Sequence, residues 1–398
     1  MPKSLDQKLA AIHADPSGSK AFILADAKDA DMAFGMSATG LSPEQHEGEI
    51  RHKTLAEYRQ QIRDVIGQGR VDIVLMSAST ADRLAVQEGL FENSAVTPAA
   101  RANDATDVHL PRGGKIHSAP AQPFRTAAID HMQCGELDCS PEARRRGANL
   151  GLYSVTFNND LKLDLHTLEK YKEFREEAER KGFRHFLEVF DPNLPGVVPP
   201  EVLGGFINDL IARTLAGVAN AGRPVFLKIV YHGPKAMEEL VRYDPHLVVG
   251  VLGGAAGTTY DAFKLLGEAK KYGARAALFG RKINNAENQL AFIEFLRLIA
   301  EGVLTPEEAV PAYHGVLQKL GVKPQRSLAD DMSLRTAVMS YGGNGQVSVP
   351  VQIKSEVGSR KSEVKTTTAT ASAPNFATMT PAERLAYHRA RLKKQFGG

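Results

Sequence analysis

One lysine has more chemistry to offer than any other residue of this chain. Lys228 stands inside the apolar run PVFLKIVYHG, residues 224–233. An ammonium withdrawn from water is costly unless it is paired, and burial favours the neutral amine. A neutral amine attacks carbonyl carbon, and the Schiff base that results can draw electrons out of a neighbouring carbon–carbon bond. The plainer reading is a strand-end lysine satisfied by a carboxylate. Glu188, in RHFLEVF (184–190), can serve either reading, as counter-ion or as general acid/base.

Glycine-bearing turns follow two later apolar runs. HLVVGVLGG (246–254) ends in Gly253 and Gly254, and ARAALFG (274–280) ends in Gly280 with Arg281 next. Such turns let backbone N–H groups approach a phosphate, and an arginine supplies a charged fork. Equally, glycines there can be no more than tight-turn residues.

The elements that must position these groups alternate. AFILA (21–25), VDIVLM (71–76), GANLGLYSVTF (147–157) and the runs at 184–190, 224–231, 246–252 and 274–280 are short and continuously apolar, as expected of strands covered on both faces. Between them the pattern predicts helices over 4–14, 54–68, 164–182 (Asp164 as N-cap), 199–222, 233–243 and 257–273. Strand–helix alternation with short joints argues for βαβ units. No G-x-G-x-x-G follows the first strand, which disfavours a dinucleotide-binding open sheet, and the late glycine turns suit strands seven and eight of a (β/α)8, or TIM, barrel. Lys228 then lies on strand six. A further strand is expected near 106–110 or 124–130, within a polar stretch (77–146) whose long loops are expected to shape a substrate site.

The expected domain plan is a barrel over 1–325 and a C-terminal extension over 326–398. A helix over 305–321 opens on Thr305, Pro306 and Glu308. The extension carries a flexible linker at about 343–378, low in complexity, and a short terminal helix opening on Thr380, Pro381 and Glu383.

Composition narrows the function classes. The 398 residues are 43% hydrophobic and 24% charged, ordinary for a globular protein. A net charge of +3 with only short basic clusters disfavours nucleic acid as a partner. The start is no signal peptide, and no apolar run approaches a membrane span, so a cytoplasmic protein without a membrane partner is expected. The two cysteines, Cys134 and Cys139, are then expected as reduced thiols.

The run LKIVYHG, followed by GVLGGAAGTTYDAFKLLGEAKKYGARAALFGRKI, resembles the archaeal-type fructose-bisphosphate aldolases, and HFLEVFDPN resembles the fifth-strand segment of tagatose-bisphosphate aldolases. The resemblance covers about residues 149–300. It implies a class I aldehyde-lyase that needs no cofactor or metal and acts on a phosphorylated ketose or related keto compound, with copies of the chain as its macromolecular partner. Lys228 would form the Schiff base, while Gly253, Gly254, Gly280 and Arg281 would hold phosphate. Asp29, with Gly35 six residues on, fits the family's first-strand aspartate; Asp26 is the next candidate, and a turn-capping cluster is an even alternative. Lys28 is a neighbouring cation that could lower the pKa of a reactive amine. The archaeal aldolases carry a tyrosine acid/base where this chain has Phe190; Tyr153 or Tyr231 could replace it.

Two other functions fit the same barrel. Asp104, Asp107, His109, Asp130, His131 and Glu136 could bind a divalent metal, which would suit a sugar isomerase, an epimerase or a class II-type aldolase. A barrel kept for binding or assembly is the third.

Overall fold

The computed structural model describes residues 1–42, 51–111, 113–254 and 257–335. Eight strands close into a parallel barrel: β1 (Ile23–Lys28), β2 (Ile73–Met76), β3 (Thr97–Arg101), β4 (Leu150–Thr156), β5 (Arg184–Phe190), β6 (Leu227–Ile229), β7 (Val249–Leu252) and β8 (Ala276–Phe279). Each pairs with its neighbours in chain order, and β1 closes on β8 through Ile23–Ala276 to Asp26–Phe279. This is the (β/α)8 barrel expected from the alternation.

Alternate strand residues enter different cores. Ile23, Ala25, Ala27, Ile73, Leu75, Ala99, Leu150, Leu152, Phe186, Phe226 and Leu278 fill the barrel interior. Leu24, Val74, Met76, Tyr153, Val155, Leu187, Val189, Val249 and Val251 face the helical layer. This period of two explains why the runs read as continuously apolar. Leu5, Leu9 and Ile12 of the first helix (Ser4–Ala14) join the interior cluster, so that helix stoppers the amino-terminal end.

The third strand is Thr97–Arg101, not 106–110 or 124–130. TPAAR has a proline and no branched apolar residue, so its hydrophobic signal is weak; Ala99 and Ala100 are nevertheless fully buried, because the crowded barrel wall admits small side chains. The polar stretch after it forms a two-stranded hairpin, Asp104–Ala105 against Pro123–Phe124. Helix Leu161–Arg180 starts earlier than the sequence suggests: Asp160 caps it, and Asp164 instead accepts from the N–H groups of Asn158 and Asp160.

Cys134 and Cys139, expected as thiols, form a disulfide. Gly135, in left-handed conformation, turns the chain back after helix Ile129–Cys134 and brings the two Cα atoms to 6.2 Å, within disulfide reach.

Helix Pro306–Lys319 carries the expected Thr305–Glu308 capping box. Beyond residue 325 a short helix, Leu328–Asp331, sends Asp331 to the N–H of Thr259 (2.8 Å) and to His314 (3.0 Å). The barrel-bearing unit spans Met1–Val351. The proposed linker at 343–378 and the terminal helix lie outside the described residues. Among the described residues no helix is long and apolar enough to cross a membrane.

Candidate active site

Lys228 and Glu188 are paired in register on β6 and β5, both on the inward-facing set of positions. The Lys228 Nζ lies 2.5 Å from Glu188 Oε1, and both side chains are almost fully buried. A buried pair in direct contact can pass a proton without solvent, which is what carbonyl addition by an amine requires.

The orientation of Glu188 is set from β3 and β4. Ser154, in register with Glu188, donates to Glu188 Oε2 at 2.7 Å. Arg101, wholly buried at the end of β3, donates from Nη2 to Ser154 Oγ (3.3 Å), from Nη1 to Asp29 (2.6 Å) and from Nε to Asp104 (2.6 Å). Asn103 clamps the Ser154 backbone, donating to its carbonyl (2.8 Å) and accepting from its N–H (2.6 Å). Burial pushes the Asp104 carboxyl above its ordinary range, even against the Arg101 guanidinium.

A small cleft of about 30 Å³ reaches Lys228, lined also by Asp29, Gly253, Gly254, Gly280 and Arg281, with Ala27, Phe34, Leu252 and Leu278. The structure therefore gathers the sequence-derived lysine, aspartate, glycines and arginine at one end of the barrel, with Glu188 touching the lysine. Arg281 lies over the Phe34 ring, 5.0 Å from its centroid. The glycines also have packing reasons. A Cβ on Gly253 would meet Phe279 at 2.2 Å, and one on Gly280 would meet the Ala27 carbonyl at 2.6 Å. Nor are all the late-turn N–H groups open to a ligand: Gly253 donates to Leu278 O (2.7 Å), Thr258 to Asp261 (2.7 Å) and Thr259 to Asp331 (2.8 Å).

Several neighbouring candidates are placed elsewhere. Asp26 and Lys28 occupy the outward positions of β1 and pair with each other at 3.1 Å; Lys28 also donates to Asn284 and Gln289. Lys28 thus cannot bear on the Lys228 amine from beside it. Tyr153 packs outward on Phe174, with ring centroids 4.5 Å apart, and the Tyr231 hydroxyl donates to Glu268, so neither replaces a tyrosine where Phe190 ends β5. The six residues of the metal alternative scatter. Asp104 goes to Arg101, Asp107 to Thr156 and Asp130 to Lys181, while His109 lies edge-on to Phe124. Among the described residues no group of three or more His, Cys, Asp or Glu side chains is placed to hold a metal ion.

Arg101, Ser154, Asn103 and Thr156 are site residues that sequence reasoning missed. A buried charge closing the Ala-rich strand TPAAR was the one local signal for Arg101. Lys282 was also missed: burial, with Arg326 nearby, holds its amine down to about 8. It faces a separate, larger cavity of about 1210 Å³ between helix Leu55–Gln68, the turn after β8 and residues 322–326.

The closed parallel barrel, with a lysine–carboxylate pair inside its carboxyl-terminal end, defines a (β/α)8 architecture. It is similar to the crystal structure of an archaeal fructose 1,6-bisphosphate aldolase, with a TM-score of 0.51 at 15% identity over 75% of this chain and 100% of that one. It is equally similar to a Schiff-base-forming fructose-1,6-bisphosphate aldolase, with a TM-score of 0.52 at 15% identity over 76% of this chain and 100% of the other. At such identity the likeness establishes the fold. No protein-family model and no curated protein sequence matches the chain.

Proposed function

We propose that this chain is a class I aldolase, an aldehyde-lyase that makes or breaks a carbon–carbon bond in a phosphorylated ketose or related keto compound. The observation that carries the reading is the 2.5 Å contact between the inward-facing Lys228 amine and Glu188. In the first step Glu188 takes a proton from the Lys228 ammonium, and the freed amine adds to the substrate carbonyl to give a carbinolamine. Glu188 then returns the proton to the carbinolamine oxygen. Water leaves, and the lysine nitrogen becomes an iminium opposite a carboxylate that is again charged. Ser154 and Arg101 keep Oε1 of Glu188 aimed at the nitrogen by engaging Oε2 and its neighbours. Asp29, fixed by Arg101, lines the same cleft and can accept a substrate hydroxyl. Arg281 with Gly254 and Gly280 would hold the anionic end, while Gly253, its N–H already bonded to Leu278 O, would serve only by letting the turn pass close. A fructose-1,6-bisphosphate aldolase shares the fold, which makes phosphorylated ketoses the first compounds to test.

Borohydride added with fructose 1,6-bisphosphate, dihydroxyacetone phosphate or pyruvate should fix one substrate fragment on Lys228, read by peptide mass spectrometry, and Lys228→Met should abolish it. Labelling at Lys282 instead, or undiminished activity in Lys228→Met, would overturn the assignment.

A further inference from the structure

A Schiff-base lyase needs two proton carriers at two places. One serves the lysine nitrogen; the other serves the carbon or hydroxyl oxygen farther along the substrate, where the bond breaks. Glu188 is committed to the first, with Oε1 on Lys228 and Oε2 on Ser154. The second carrier must be a separate group nearer the mouth.

Asp107 occupies such a place. It belongs to a single helical turn, Thr106–Val108, in the loop that leaves β3. Thr156 donates to its Oδ2 at 3.1 Å. Thr156 is the inward position after Ser154 on β4, about 7 Å farther toward the carboxyl-terminal mouth. Asp107 is therefore held by the residue one rung beyond the Ser154–Glu188–Lys228 row, a step that a short carbon chain spans. It is 9% exposed, and its Oδ1 has no hydrogen-bond partner. A buried carboxyl oxygen left unpartnered carries a cost that needs a reason, and a substrate hydroxyl or carbon acid supplies one.

We infer that Asp107 is the second proton carrier of the Schiff-base reaction, working on the substrate while Glu188 works on the lysine nitrogen. The inference rests on the class I aldolase reading. As a carboxylate, Asp107 takes the proton of the hydroxyl two carbons from the iminium carbon. The O–H electrons become the new carbonyl bond, the carbon–carbon bond breaks, and its electron pair moves through the carbon framework to the nitrogen, giving an aldehyde and an enamine. Asp107 then returns the same proton to the enamine carbon, which restores the iminium and the carboxylate. The charged groups that face it are Arg101 from β3 and Glu188 from β5, and burial with Glu188 outweighs Arg101 and the Thr156 hydroxyl, so its ionisation falls near pH 6.

The test uses the full chain with dihydroxyacetone phosphate in D₂O, following deuterium entry beside the carbonyl by NMR and adduct formation by borohydride. Asp107→Asn should keep trapping on Lys228 near the wild-type level while exchange falls about 100-fold. Wild-type exchange should rise with pH through about 6 and lose that limb in the variant. Asp107→Glu should recover part of the exchange, and Thr156→Val should shift the limb upward. Normal trapping with wild-type exchange and an intact limb in Asp107→Asn would overturn this inference alone. Absence of any adduct in the wild-type protein would overturn the aldolase reading, and this inference with it.

Discussion

Asp72 and Asp107 are buried carboxyls at opposite ends of one barrel, and their surroundings move their pKa values in opposite directions. Asp72, just before β2, accepts from Lys8 (2.8 Å), from Arg297 (2.7 Å) and from the N–H of Leu24 (2.8 Å). Burial alone would raise its pKa, but the two cations outweigh burial and hold it below the usual carboxylate range. Asp107 has one hydroxyl and an unpartnered oxygen, and burial lifts it to about 6. The amino-terminal end balances its charges inside the protein. The carboxyl-terminal end sets Asp29, Asp104 and Glu188 against Arg101 and Lys228, with Asp107 on Thr156 beside them, so carboxyls there outnumber the cations. In (β/α)8 barrels the amino-terminal face generally serves stability and the carboxyl-terminal face carries the site.

The contrast can be broken at either end. The largest effect should come from Glu188→Gln, which cannot take the lysine proton; borohydride trapping on Lys228, counted per folded molecule because the buried amine also loses its counter-charge, should slow about 100-fold or more. An unchanged trapping rate would put the proton path elsewhere. Asp72→Asn should do the reverse, leaving Lys8 and Arg297 without a counter-charge at a cost of about 3 kcal/mol in denaturant unfolding, while trapping per folded molecule stays at wild-type level. The wild-type Asp72 contribution is present above the unfolded carboxylate pKa and is lost as pH falls through the lower folded value, so the gap between variant and parent should close in acid.

A smaller effect sharpens the comparison. The folded pKa of Asp107 is raised, so it stabilises the fold when protonated and loses that contribution as pH rises through about 6. Asp107→Asn should therefore gain about 2 kcal/mol of stability at pH 8 and almost nothing at about pH 3, below the unfolded carboxyl's pKa, measured by unfolding at the two values. Equal effects at both would show that Asp107 carries no stored cost.

The sequence by itself determined the barrel, the place of Lys228 on the sixth strand and the glycine turns after β7 and β8; that the lysine faces inward came from the register. Strand periodicity, helix caps and the expense of burying an amine are all local and need no partner to be visible. Tertiary structure alone decided what surrounds that amine. Arg101 meets Asp29 across 72 residues, Ser154 meets Glu188 across 34, and Asp107 meets Thr156 across 49. No local pattern selects those pairs, because barrel closure and strand register, not chain order, choose which buried charge faces which. The same closure hid β3, whose small residues give a weak hydrophobic signal yet fit a crowded wall, and it turned Lys28 outward, one residue from the inward-facing positions that continue to Asp29.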